Sequence, residues 1–132
     1  LKNDAIELYI KDLKRIVKKA PPLPRTMFVY RGVSNDIFKG KLGTIHKLTE
    51  FASTGYVPQA VYGPNRFLRI KLLKGVRVLL LQPLNDWATH GEFEVLLNVG
   101  SNYVIKKRNL LRPVVNRYNI RNKYITDITV YN

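Results

Sequence analysis

His90-Gly91-Glu92-Phe93-Glu94-Val95-Leu96-Leu97 decides how the rest of the chain is read. The run from Phe93 to Leu97 is apolar enough for a buried strand, yet two carboxylates stand at its start. Side chains alternate faces along an extended chain, so Glu92 and Glu94 project to one side, about 7 Å apart, and Phe93, Val95 and Leu97 to the other. Only 9 acidic residues stand against 23 basic ones. Two of those nine side by side on one strand face call for a chemical explanation.

Composition bounds that explanation. A chain of 132 residues is expected to form one domain with a real core, here residues 1–132. Cysteine is absent, which excludes a disulfide framework, cysteine-ligated zinc and a thiol nucleophile together. His46 and His90 are the only histidines, too few for a histidine-rich metal site, and both read as structural or surface residues. No apolar run approaches the roughly 18 residues that a membrane-spanning helix needs, and no secretory pattern is visible. The chain begins with Leu rather than Met, as a segment of a longer protein would, and that start is compatible with a lost leader. The net charge of +14 predicts attraction to polyanions: nucleic acid, acidic protein surfaces, phosphate-rich substrates or anionic lipid.

Working outward along the chain, Ile6, Tyr9, Ile10, Leu13, Ile16, Val17 and Ala20 recur at helical spacing. They predict an amphipathic helix over 3–20, capped by Asn3 or Asp4, ended by Pro21-Pro22 and packed on the domain. Its outward face is basic, carrying Lys2, Lys11, Lys14, Arg15, Lys18 and Lys19. Thr26–Gly32 and Leu48–Ser53 read as strands, separated by a loop with a short helical turn near Asp36–Lys39. Phe67–Leu72 and Val76–Leu81 read as two strands joined by a hairpin at Leu73-Lys74-Gly75. Glu92–Asn98 follows, then Tyr103–Lys106, a basic irregular stretch, and a closing strand over Lys123–Tyr131 with Tyr124, Thr126, Ile128 and Val130 on one side. One helix before six or seven short strands is an α+β chain with mainly antiparallel sheet.

Three short motifs now stand in order: Tyr30-Arg31-Gly32 closing the first strand, Phe51-Ala52-Ser53-Thr54 on the second, and Glu92-Phe93-Glu94 opening a later one. Each alone is common. Together, with Ala20-Pro21-Pro22-Leu23-Pro24 before the first strand and Glu94-Val95-Leu96-Leu97 followed by Gly100, they resemble the mono-ADP-ribosyltransferases of the arginine–serine–glutamate class, which include bacterial toxins and viral enzymes. The similarity covers roughly Ile6 to Ile105. It implies two packed antiparallel sheets with a cleft for NAD as co-substrate, a glycosyl transfer that needs no metal, and a protein acceptor.

The resemblance also implies roles. Arg31, followed by Gly32, would hold a phosphate and ribose of NAD, since a guanidinium makes paired, directional bonds to phosphate. Ser53 would orient Glu94, with Thr54 in support. The family usually carries a third hydroxyl residue where this chain has Gly55, which weakens the local network but spares the first serine. Glu94 would face the positive charge that develops as the nicotinamide–ribose bond breaks. Glu92 would serve the acceptor, because family members with glutamate here commonly modify arginine, and a guanidinium must lose a proton as it attacks. Tyr56, Tyr62 and Arg66 are candidates for covering the nicotinamide and phosphates, against ordinary packing or exposure. Trp87, in the loop Gln82–Gly91, either contacts the target protein or plugs the core.

The expected activity is transfer of ADP-ribose to an arginine of a target protein. Transfer to a nucleic-acid base or another side chain, or an inactive basic binding module of the same fold, are the alternatives. A secreted effector or toxin, a virion-associated enzyme and an enzyme of the host cytoplasm are all compatible settings.

Overall fold

A chain with one helix and many apolar-faced strands has little except its own sheet to cover that sheet. The computed structural model describes residues 2–32, 38–55, 66–81, 94–115 and 120–132. It contains α1 (Lys2–Lys19) and eight strands: β1 (Met27–Gly32), β2 (Ile45–Lys47), β3 (Ala52–Gly55), β4 (Arg66–Leu72), β5 (Val78–Leu81), β6 (Glu94–Leu97), β7 (Asn102–Val115) and β8 (Ile120–Tyr131). They form one sheet in the order β2-β7-β8-β4-β1-β3-β6-β5. Every neighbouring pair is antiparallel except β4 with β8. The α+β class and the mainly antiparallel sheet agree with the sequence reading.

The two expected sheets are halves of this one order. β1 and β4 share six partner pairs, whereas β1 meets β3 through Tyr30↔Gly55. On either side of that narrow seam the halves pack together. Ala52, Val78, Val95 and Leu97 from one half join Val29, Ile70, Ile105 and Ile128 from the other in a single buried cluster. α1 contributes little cover: Val17 and Ala20 are buried, while Ile6, Tyr9 and Ile16 are exposed. The helix is thus amphipathic as read, with Ile10 and Leu13 half-buried and Val17 fully buried. Asp4 near its start and Lys18 and Lys19 near its end suit the helix dipole. The Arg77 guanidinium donates to the Ala20 carbonyl and ties the helix end to the residue just before β5.

Three local expectations are corrected. The turn at Leu73-Lys74-Gly75 is tight, with Gly75 at φ 92°, but it does not close a hairpin. Both edges of β4 are already paired, with β1 and β8, so the turn carries the chain across to β5, which pairs with β6. The predicted strand Leu48–Ser53 starts later, at Ala52; Leu48 is a buried plug whose N–H donates to the Ser101 carbonyl at 2.9 Å. Just before it, Ile45–Lys47, read as loop, pairs with β7.

The largest correction is the basic stretch after Lys106. It forms the far parts of β7 and β8, paired from Leu110↔Ile125 to Val115↔Ile120, after register shifts near Lys107. Apolar alternation does not mark it, because Lys123 is buried while Leu111, Val115 and Ile120 are exposed, although the ladder continues. Asn109, at φ 50°, sits at the irregularity, and its N–H is satisfied by the Thr126 hydroxyl at 3.2 Å. On the sheet's other face, Arg69 makes paired hydrogen bonds of 2.8 and 3.1 Å to Asp127, its register partner. Those bonds raise the Arg69 guanidinium further above its already high pKa.

Ile70 has no exposed surface, so Ile70→Ala should lower the unfolding free energy by about 2–5 kcal/mol. Ile45, 68% exposed at the sheet edge, should tolerate alanine within about 0.5 kcal/mol. Urea titration followed by circular dichroism reads both.

Candidate active site

The site is built from three strand segments that the sheet order makes neighbours. β1 delivers Arg31 at its penultimate position, β3 delivers Ser53 and Thr54, and β6 opens with Glu94. Register aligns them: Tyr30 pairs with Gly55, and Gly55 pairs with Glu94. Residues distant in sequence therefore meet at one end of adjacent strands.

Alternation then sorts each side chain. Val95 and Leu97 are buried without exposed surface while Glu94, their neighbour on the opposite face, is exposed. This is the division of faces that the sequence predicts for that strand. On β3, Ala52 and Thr54 turn into the core and Ser53 turns outward. Ser53 is the hinge of the arrangement. Its hydroxyl donates to Glu94 Oε1, and its carbonyl accepts a 2.8 Å bond from Arg31 Nη1. One residue thus ties a cationic side chain to an anionic one without the two pairing directly. Thr54 works from behind: its buried hydroxyl donates to the Val95 carbonyl at 2.7 Å, holding β6 against β3.

Gly55 stands level with both Tyr30 and Glu94. A hydroxyl residue there would face the same side as Glu94, so its absence leaves Ser53 as the hydroxyl that reaches the carboxylate. Gly32 pairs with Phe67 on β4. Arg66, the residue before Phe67, is exposed and lies with its guanidinium 5.4 Å from the centre of the Tyr124 ring, a stacking geometry for a cation on an aromatic face. Sequence reasoning does not connect Tyr124 with this region. The alternation of Tyr124, Thr126, Ile128 and Val130 puts it on a common face, but only the parallel pairing of β8 with β4 brings it beside Arg66.

Arg31, Ser53 and Glu94 are thus brought together, with Gly32, Thr54 and Arg66 on the same strand ends. Tyr56, Tyr62, Trp87, His90 and Glu92 lie outside the described residues. His46 is away from this cluster, its Nε2 2.6 Å from the Thr44 hydroxyl on the β2–β7 edge. Among the described residues no group of three His, Asp or Glu side chains could hold a metal ion, and no helix is long and apolar enough to cross a membrane.

A helix leading into a folded-over, mainly antiparallel sheet, with an arginine, a serine and a glutamate meeting on three adjacent strand ends, is the frame of the ADP-ribosyl-transferring toxins. The family model described as ADP-ribosyltransferase exoenzyme matches residues 1–131, and the chain belongs to that family. It is accordingly a mono-ADP-ribosyltransferase with NAD as co-substrate, and its Arg31, Ser53 and Glu94 are consistent with the arginine–serine–glutamate class. No curated protein matches the sequence. Among solved structures, C3larvin toxin, an ADP-ribosyltransferase from Paenibacillus larvae, shares 22% identity over 98% of this chain and 72% of that one, with a TM-score of 0.72. The C3 exoenzyme of Clostridium limosum gives 18% over 98% and 70%, with a TM-score of 0.67. The enzymatic component of the C2 toxin from Clostridium botulinum gives 17% over 97% of this chain and 37% of that one, with a TM-score of 0.66. At these identities the likeness is one of fold.

Thr54→Val keeps the shape but removes the buried bond to the Val95 carbonyl. It should destabilise the protein by about 1 kcal/mol, measured by chemical denaturation.

Proposed function

We propose that this chain, read as one catalytic domain over residues 1–132, moves ADP-ribose from NAD to an arginine of a target protein and releases nicotinamide. The observation that carries the reading is the bond from Ser53 Oγ to Glu94 Oε1, which sets the carboxylate of the doubled acidic motif in a defined orientation on an exposed strand end. Breaking the nicotinamide–ribose bond places positive charge on the sugar. A carboxylate held in place before the reaction stabilises that charge selectively, because it has little reorganisation left to undergo.

Each remaining residue has a part. Arg31, fixed by the Ser53 carbonyl, presents the rest of its guanidinium to a phosphate and ribose of NAD. Gly32 keeps the adjoining backbone open to the nucleotide, and Thr54 holds β6 in register. Arg66 and Tyr56 contribute to the phosphate and nicotinamide ends. Glu92, two residues before Glu94 in the sequence, attracts the incoming guanidinium and takes its proton as it attacks. Trp87 contacts the target. A second reading, transfer to a nucleic-acid base, is favoured by the +14 charge, but a carboxylate at position 92 suits a cationic acceptor better.

Labelled NAD incubated with an arginine-rich protein tests the proposal. Label should enter the protein and be released by hydroxylamine. Glu94→Gln should lower both transfer and NAD hydrolysis by at least about 100-fold; near-normal activity would remove Glu94 from its role. Glu92→Gln should lose transfer while hydrolysis persists. Arg31→Ala should weaken NAD binding by roughly 10–100-fold, the loss of charged hydrogen bonds, seen by calorimetry. Label appearing in added DNA or RNA instead would favour the second reading.

A further inference from the structure

Tyr124–Val130 of β8 pair with β4 as well as β7. Among the described residues, Ile120–Lys123 pair with β7 alone. The far parts of β7 and β8 are therefore a two-stranded ribbon extending beyond the main sheet. Partners across an antiparallel ladder point to one face, and next neighbours point to the other. Leu111↔Tyr124, Pro113↔Asn122 and Val115↔Ile120 are partners, so these six share a face. On it Leu111 is 55%, Val115 70%, Ile120 67% and Tyr124 40% exposed. The opposite face carries Arg112 and Arg121, and there Val114 packs against the small cluster of Phe67 and Ile125. One side of the ribbon is thus anchored to the sheet, while the uncovered side continues the face that Thr126, Ile128 and Val130 bury further along β8. Isolated surface apolar residues need no explanation, but a continuous row of four large ones marks an interaction surface.

Two further observations say what covers it. The row runs into the candidate site: Tyr124 underlies Arg66, and Arg66 precedes Phe67, the partner of Gly32 beside Arg31. The surroundings are also basic. The exposed cations of β7 and β8 are Lys106, Lys107, Arg112 and Arg121, whereas Lys123 is buried and Asp127, the one acidic residue of the two strands, is engaged by Arg69. A surface that is apolar along its length, ended by Arg66, backed by the exposed Arg112 and Arg121 and contiguous with a transfer site suits the macromolecule that receives the transferred group. Phosphate backbones would be drawn to the cations but gain nothing from the apolar row.

We propose that the apolar face of the β7–β8 ribbon is a docking surface for the acceptor protein, which meets it with apolar side chains bordered by carboxylates. The proposal rests on the reading of the chain as a protein-modifying transferase, and its test separates the two. Val115→Lys/Ile120→Lys and the milder Val115→Ser/Ile120→Ser are made in the full chain, both at positions more than two-thirds exposed. Three readouts are compared: NAD hydrolysis without acceptor, transfer to the small guanidine agmatine, and transfer of biotinylated ADP-ribose to proteins of pooled animal, plant and bacterial extracts. Hydrolysis and agmatine transfer should stay within about twofold of wild type, as for surface substitutions away from a site. Protein labelling should fall at least about tenfold in the lysine variant, and by a smaller factor in the serine variant, as for loss of interface anchors. Wild-type-like protein labelling in both variants would overturn the proposal. So would an extract in which wild type labels no protein. The assignment also fails if the substitutions chiefly abolish binding to phosphatidylserine-containing vesicles or a short DNA duplex, or convert a dimer to a monomer by light scattering. Persistence of hydrolysis in Glu94→Gln would instead count against the active-site reading and leave the ribbon result interpretable.

Discussion

Ser53 is the constraint on which the site depends, because its two oxygens face two different strands. The carbonyl accepts from Arg31 on β1 and the hydroxyl donates to Glu94 on β6. These strands sit on either side of β3, where the sheet folds from one packed half to the other. At that seam backbone pairing between β1 and β3 is short, with Tyr30↔Gly55, so side-chain bonds contribute to the join. A cation and an anion held near one another by a shared neutral residue both keep hydrogen-bonding capacity for a ligand. A direct ion pair would consume much of it.

The core serves this arrangement without contributing chemistry. Val95 and Leu97 are buried on one face of β6 while Glu94 stands on the other. A register slip of one residue would exchange them. Burial of the apolar set therefore fixes where the carboxylate points. The same logic applies on β3, where Ala52 and Thr54 turn inward and leave Ser53 outside. Stability and function are coupled through the period-two alternation of two four-residue strands.

Much of this is legible from local pattern. The helix stop at Pro21-Pro22, the strand character of 26–32 and 67–72, and the division of faces at Glu94 follow from spacing and backbone chemistry alone. The motif order Arg31, Ser53, Glu94 marks residues that do meet. Sequence and structure part where local pattern is silent about partners. A tight turn at Leu73-Lys74-Gly75 looks the same whether its strands pair or separate, and here β4 is already occupied on both edges. The ribbon of β7 and β8 is hidden because its anchored side buries Lys123 while its apolar Leu111, Val115 and Ile120 are exposed, the reverse of what apolar alternation signals. The apolar face of α1 reads as core-facing although Ile6, Tyr9 and Ile16 are exposed, since helical periodicity reports amphipathicity and not what lies opposite it.

By itself, then, the sequence determined the class of the fold and the faces of individual strands, which depend on residues within a few positions of one another, and the order of three motifs pointed to the candidate chemistry. The tertiary structure decided the rest: the sheet order, the parallel β4–β8 pair that puts Tyr124 under Arg66, and the meeting of Arg31, Ser53 and Glu94 across three strands. The last two are contacts between segments separated by 22 to 58 residues. Their formation depends on which strand edges remain free once the core has closed, and no local pattern encodes that competition.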